Sequence, residues 1–183
     1  MDVDLFGEPI RQPEDDAARM LREYDAESFE DRVRRLRYVM DVYPSDYQFL
    51  MPMESHLAFD EARTTFVNGD HVAVLLLAQA FAEHRLQGDL MSLGEEKVAR
   101  AGMTRILKHV KRNSLLHPHL VSRLEKLRDI RNPFTHSRPE DPNRIDRRMF
   151  DAGTHHFELL ERDARDALSL MYAVAITRLR GVS

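Results

Sequence analysis

The chain has 183 residues, 43% of them apolar and 32% charged, with a net charge of −4, which fits a single soluble domain, or one domain with an N-terminal extension. It contains no cysteine, so disulfides, thiolate zinc sites and cysteine nucleophiles are excluded. With only 7 glycines and 8 prolines it lacks the turn residues of an all-β fold.

The N-terminus, MDVDLFGEPI, is acidic and has no apolar signal core behind it. The longest apolar run, residues 72–82, is interrupted by Gln79 and falls well short of the roughly 20 residues of a membrane span. These features read as a cytoplasmic protein with no membrane partner.

In chain order, residues 1–13 carry Gly7, Pro9 and Pro13 and read as an extended arm. Two polar-faced helices are expected at about 14–24 and 27–41. The second carries Phe29, Val33, Leu36 and Met40 at helical spacing and is ended by Pro44. A helix from Met53 to Val67 stops at Asn68-Gly69. Asp70 then caps a second, about 71–87, which Gly88 terminates. The short link makes these an antiparallel hairpin, and the second helix, apolar nearly all round, should be central. Ser92 and Glu95 have the spacing of a capping box for a helix running to a basic end. A further helix leads through Leu124, Leu127 and Ile130 to Arg131-Asn132-Pro133, followed by a polar loop. A last long helix has Phe157, Leu160, Ala164, Ala167, Met171 and Val174 as its apolar stripe. The expected fold is an all-α helical bundle of two antiparallel helical hairpins. Residues 1–50 form an N-terminal arm and helical extension, and 51–183 form the bundle.

Charge is unevenly spread. Between Lys97 and Arg148 there are 14 Lys plus Arg against 5 Asp plus Glu, so the rest of the chain is acidic. A basic half suggests a polyanionic partner, or else two halves that fold against each other. Arg105, Lys108, Lys111 and Arg112 form the best candidate patch for a nucleic-acid backbone, although a solvated helix face explains them equally well.

Arginine followed five residues later by histidine occurs twice, as Arg112 to His117 and as Arg131 to His136. On an unbroken helix five residues turn about 500°, which would point the two side chains some 140° apart. Pro133 breaks that continuity, so the chain after Asn132 can turn and bring His136 back toward Arg131. Two roles stay open for the pair. Arg131 could cap the carbonyls that end its helix while His136 packs in the loop, or both could face one phosphate.

The segment LEKLRDIRNPFTH, with the upstream stretch EARTTFVNGDHVAVLLLAQAFAEHRL, resembles the signature and preceding hairpin of the HEPN superfamily. The resemblance covers about residues 53–180. It implies a usually dimeric helical bundle, a homodimer here. Many of its members are metal-independent endoribonucleases of toxin–antitoxin, phage-defence or RNA-processing systems, and others only bind a partner protein or nucleic acid. By position it carries over Arg131, Asn132 and His136 as the catalytic motif and Glu83 as a supporting acidic residue. RNA is then the implied substrate, an antitoxin a candidate partner, and no cofactor is implied. The chemistry suits these residue types. Histidine titrates near neutral pH and can pass protons, arginine grips phosphate oxygens in a fork, and asparagine can orient either.

Other constellations carry less. His117-Pro-His119 and His155-His156 lack the i, i+4 spacing and the acidic partners of a metal site, so no metal is expected. GEEKVARAG lacks the spacing of a phosphate-cradling loop, and no G-x-S-x-G occurs.

Overall fold

The computed structural model of the chain describes residues 15–43, 51–136 and 138–182. These residues are all-helical, with eight helices and no strand among them. The helices are α1 (Asp16–Val42), α2 (Met53–Asn68), α3 (His71–Ser92), α4 (Glu96–Ala99), α5 (Met103–Arg112), α6 (Pro118–Thr135), α7 (Ile145–Ala152) and α8 (His156–Ala175). None is long and apolar enough to cross a membrane. The expected arm at 1–13 and Pro44 lie outside the described residues.

Burial organises the molecule around α3, as its composition predicts. Val74, Leu75, Ala78, Phe81 and Leu90 are fully enclosed, and α2, α8, α6 and the α4–α5 region all pack on this helix. The turn from α2 into α3 follows from local chemistry. Gly69 takes a φ of 95°, which only glycine adopts at no cost, and its N–H closes on the carbonyls of Thr65 and Phe66. Asp70 occupies the N-cap position of α3, but its side chain makes no capping hydrogen bond.

Three expected boundaries fall elsewhere. Residues 16–42 form one helix instead of two, since nothing between Asp16 and Val42 is a glycine or proline, and the Ser28 hydroxyl bonds back to the Tyr24 carbonyl across the expected gap. Gly88 does not end α3. Its helical conformation costs about 1 kcal/mol, and the turn beyond it buries Asp89 and Leu90, so the helix runs on to Ser92. Ser92 consequently lies in the last turn of α3, where its hydroxyl donates to the Gly88 carbonyl, and it forms no capping box with Glu95. The expected basic helix is itself broken at Arg100–Gly102 into α4 and α5. On α5, Met103, Ile106, Leu107 and Val110 fall at steps of three and four and are buried. Phe157, assigned to the α8 stripe, is 65% exposed because it lies at the first turn, before α8 reaches the core, whereas Leu160, Ala164, Ala167, Met171 and Val174 are buried. The segment Ile145–Ala152, read only as chain leading from the polar loop, forms α7, which buries none of its residues.

α1 joins the bundle through its C-terminal half. Val39 and Tyr43 enter the core, and the Tyr38 and Tyr43 hydroxyls donate to the carbonyls of Arg165 and Leu168 on α8. Buried Arg35 donates from Nε to the Val67 carbonyl at 2.9 Å, tying α1 to the end of α2. Of the expected stripe, Val33 is half-buried, whereas Phe29, Leu36 and Met40 are exposed.

Buried polar groups fasten the remaining seams. Asp89 accepts from Arg178 Nη1 at 3.1 Å and from the Leu179 backbone N–H at 3.0 Å, pinning the segment after α8 onto α3. Asp163 accepts from Arg148 at 2.5 Å and joins α7 to α8. Glu161 takes hydrogen bonds from Arg34 on α1 and from Arg165 one turn along α8, and buried His71 lies 4.0 Å from it.

These last two groups contribute to the acid stability. The hydrogen bond from Arg34, then that from Arg165, brings the Glu161 carboxyl down to about 2, and burial lowers the His71 imidazole despite the opposing pull of Glu161. Both are depressed below their ordinary values of 4.5 and 6.5, so each contributes stability above its unfolded value that is lost as pH falls through its folded one. Denaturant midpoints should therefore decline below about pH 6.5 as His71 begins to count. They should decline further between about 4.5 and 2 through Glu161. Glu161→Gln should lower stability at pH 7 and flatten the lower part of that decline, and an unchanged pH profile in this variant would refute the assignment.

Candidate functional site: an arginine-lined cleft

Three pieces of chain meet at an open cleft of about 590 Å³. From α3 come Gln79 and Glu83, one helical turn apart and so on one face. From the end of α6 come Arg128, Arg131 and Asn132, again at steps of three and four, with His136 just beyond. The third wall is the break between α4 and α5, from Arg100 to Arg105. All four residues of the expected motif set, Glu83, Arg131, Asn132 and His136, thus line one cavity.

The route by which they meet differs from the expected one. α6 does not stop at Asn132-Pro133. It continues through Pro133 to Thr135, and His136 is the C-cap, in extended conformation with φ −136° and ψ 113°. Proline in a helix removes one hydrogen bond and costs about 3 kcal/mol in an interior, but here only the last turn is affected. Phe134 in that turn packs against the core, and the Asn132 carbonyl accepts from both the His136 N–H at 2.9 Å and the Thr135 hydroxyl at 3.2 Å. The change of direction that swings His136 out of helical phase comes at His136 itself.

Arg131 is held by its own helix. Its Nη1 donates to the Thr135 hydroxyl at 2.9 Å, while its Nε is buried without a hydrogen-bond partner. Burial lowers its basicity and the charge of Glu83 opposes that shift, so the two sense each other across the cleft, although no ion pair within 4 Å joins them. His136 is exposed, and its side chain makes no hydrogen bond among the described residues.

The cleft is strongly cationic. Arg100, Arg105, Arg128 and Arg131 line it, and Glu83 is its one carboxylate. Arg100 pairs with Glu96 at 3.3 Å and Arg128 with Asp129 at 2.7 Å, whereas Arg105 has no ion pair among the described residues.

Of the patch expected on the basic helix, only Arg105 reaches this cavity. α5 rises about 1.5 Å per residue, so Lys108, Lys111 and Arg112 lie one to two turns down from the end that forms the wall. Lys111 pairs instead with Glu125 at 3.1 Å, beside a separate smaller pocket. Sequence reasoning missed Arg100 and Arg128. Arg128 carried a readable signal, three residues before Arg131 on the same helical face; Arg100 depended on a break in the helix that the sequence pattern did not reveal. The second Arg–His pair stays apart from the cleft: Arg112 ends α5, and His117 caps α6, accepting from the His119 N–H at 3.2 Å. Among the described residues no group of three His, Asp or Glu is placed to hold a metal ion.

The chain matches no family model, no curated protein and no solved structure.

Such an arrangement can bind an anion and offers one exposed imidazole beside it. If Glu83 tempers the field of the arginines, Glu83→Gln should act oppositely on two readouts. Stability should fall by less than about 1 kcal/mol, as for a solvent-screened charge pair, while inorganic tripolyphosphate should bind more tightly in calorimetry. Unchanged or weaker tripolyphosphate binding would place the anion elsewhere.

Proposed function

We propose that this chain is a metal-independent endoribonuclease of the HEPN kind, working as a homodimer whose subunits are each built on two antiparallel helical hairpins. A toxin or phage-defence role, with an antitoxin as partner, follows from the same resemblance. One observation supports the reading: Glu83, far off in the chain, lines a single open cleft together with Arg131, Asn132 and His136 and three further arginines.

In the proposed reaction the ribose 2′-oxygen attacks the adjacent phosphorus as the bond to the 5′-oxygen breaks. His136 takes the 2′-hydroxyl proton, Arg131 neutralises the phosphate in flight, and Asn132 orients the imidazole or the substrate. The leaving 5′-oxygen needs a proton in turn. Each subunit has one motif histidine, so the second proton carrier would come from the facing copy. The products are a 2′,3′-cyclic phosphate and a 5′-hydroxyl.

The second reading is a dimeric scaffold without activity, in which the motif serves the fold. The hydrogen bond from Arg131 to Thr135 within the last turn of α6 favours it.

Incubation with mixed RNA in EDTA separates the two. The wild type should yield fragments with cyclic-phosphate and 5′-hydroxyl ends, and His136→Ala should lower the rate by at least about 100-fold while keeping its fold. Equal cleavage by both proteins would remove His136 from the mechanism, and cleavage by neither would favour the scaffold.

The track of the RNA backbone is tested separately by titration against salt. Arg105→Ala should weaken binding and reduce the slope of log affinity against log salt by roughly 0.7, the single-strand value for one contact. Lys111→Ala, whose ammonium is engaged by Glu125, should change neither. The reverse pattern would move the track onto the outer face of α5.

A further inference from the structure

One apolar row of α1 is left largely uncovered. Phe29, Val33, Leu36 and Met40 follow one another at steps of four, three and four, so they line up along the helix over about 16 Å. Phe29 is 57% exposed, Leu36 47% and Met40 65%, while Val33 is half-buried. This is not the side by which α1 joins the bundle. Leu36 and Met40 each follow a buried residue, Arg35 and Val39, and one residue turns a helix by about 100°. Large apolar side chains exposed together in one row mark a contact surface.

Symmetry and charge say what fits that surface. A row spaced four, three and four reads the same in both directions. Two copies of α1 laid antiparallel therefore bring Phe29 onto Met40 and Val33 onto Leu36, each contact made twice, as in a short antiparallel coiled coil. Beside the row stand Glu30 and Arg37, one residue on from Phe29 and Leu36. Both are exposed, and neither has an ion pair among the described residues. The same antiparallel register sets Glu30 of each copy beside Arg37 of the other, giving two ion pairs. A parallel pair would instead set Arg32 against Arg37, two cations.

We infer that this face of α1 is a self-association surface that takes the same face of a second copy in antiparallel orientation. None of its residues lines the arginine cleft. The contact is thus separate from any sharing of the cleft and does not rest on the nuclease reading.

The test is the mass of the full chain in solution, measured by sedimentation equilibrium over a range of concentrations. The parent should self-associate. Leu36→Glu should halve the mass of the particle and leave its helical circular dichroism unchanged, because the position is exposed. Arg37→Glu should weaken self-association about tenfold, since two ion pairs become two repulsions. Adding Glu30→Arg to that variant should restore the parent's affinity.

A parent that stays monomeric at every concentration would overturn the inference. An unchanged mass in Leu36→Glu would overturn it too, and would place the contact between copies elsewhere, leaving the homodimer of the nuclease reading standing. Association as tight as the parent's, or tighter, in Arg37→Glu would overturn the antiparallel register, because only a parallel pair gains when the cation facing Arg32 is removed.

Discussion

The constraint on which the rest depends is the enclosure of α3. α3 packs against α2, α6, α8 and the α4–α5 region and turns only one stripe, Leu76, Ala80, His84 and Gly88, to solvent, so a polar residue elsewhere on it must find a structural partner or face a cavity. Asp89 finds Arg178 and the Leu179 backbone, and His71 lies beside Glu161. Gln79 and Glu83 have no such partner among the described residues. They open instead onto the space where α6 ends and α4 gives way to α5. The cleft is therefore an outcome of packing. Two neighbouring elements stop short of covering one face of the central helix, and the polar residues of that face become its floor.

How such a cleft stays both cationic and open follows from where its arginines are rooted. Arg128 and Arg131 stand on a helix whose inner face is anchored by Leu124, Leu127 and Ile130, all buried, so their backbone positions are fixed while their guanidinium groups project toward the cavity. Arg100 and Arg105 flank a helix break that exposes the chain at Gly102. Four guanidinium groups around one cavity repel one another. Pairing of Arg100 and Arg128 with Glu96 and Asp129, together with the nearby charge of Glu83, reduces that repulsion without filling the space. Arg105 has no such relief, and an anion in the cleft would supply it.

Much of this was legible in the sequence, and two of the failures share a physical cause. The helical class, the central place of α3 and the stop at Gly69 were readable because each follows from a local pattern: apolar periodicity, an apolar circumference, a glycine before an aspartate. Two boundaries inferred from single residues went astray because tertiary burial outweighed a local penalty. Gly88 and Pro133 are both poor helix residues, and both lie inside helices because Leu90 and Phe134 just beyond them pack on the core. Ser92 illustrates the same effect, since the spacing of a capping box is equally satisfied by a serine bonding back within a longer helix. Within the cleft, Glu83, Arg131, Asn132 and His136 were found by motif and Arg105 by charge. Gln79 stood out only as the one polar interruption of an apolar run, and that its amide would be left unmet could be seen only once the facing elements were in place.

The position of His136 limits what one subunit can do. Forming a cyclic phosphate moves two protons, one from the 2′-hydroxyl and one to the departing 5′-oxygen, on opposite sides of the phosphorus because attacking and leaving oxygens lie in line. One imidazole cannot reach both sides at once, and among the described residues no second histidine lines the cavity. On the nuclease reading a lone subunit would cleave RNA slowly at best, whereas a cleft shared between two copies would present a proton acceptor and a proton donor across one phosphate. On that reading, then, catalysis would be a property of an assembled pair, and the open side of the cleft is where a second copy would complete it.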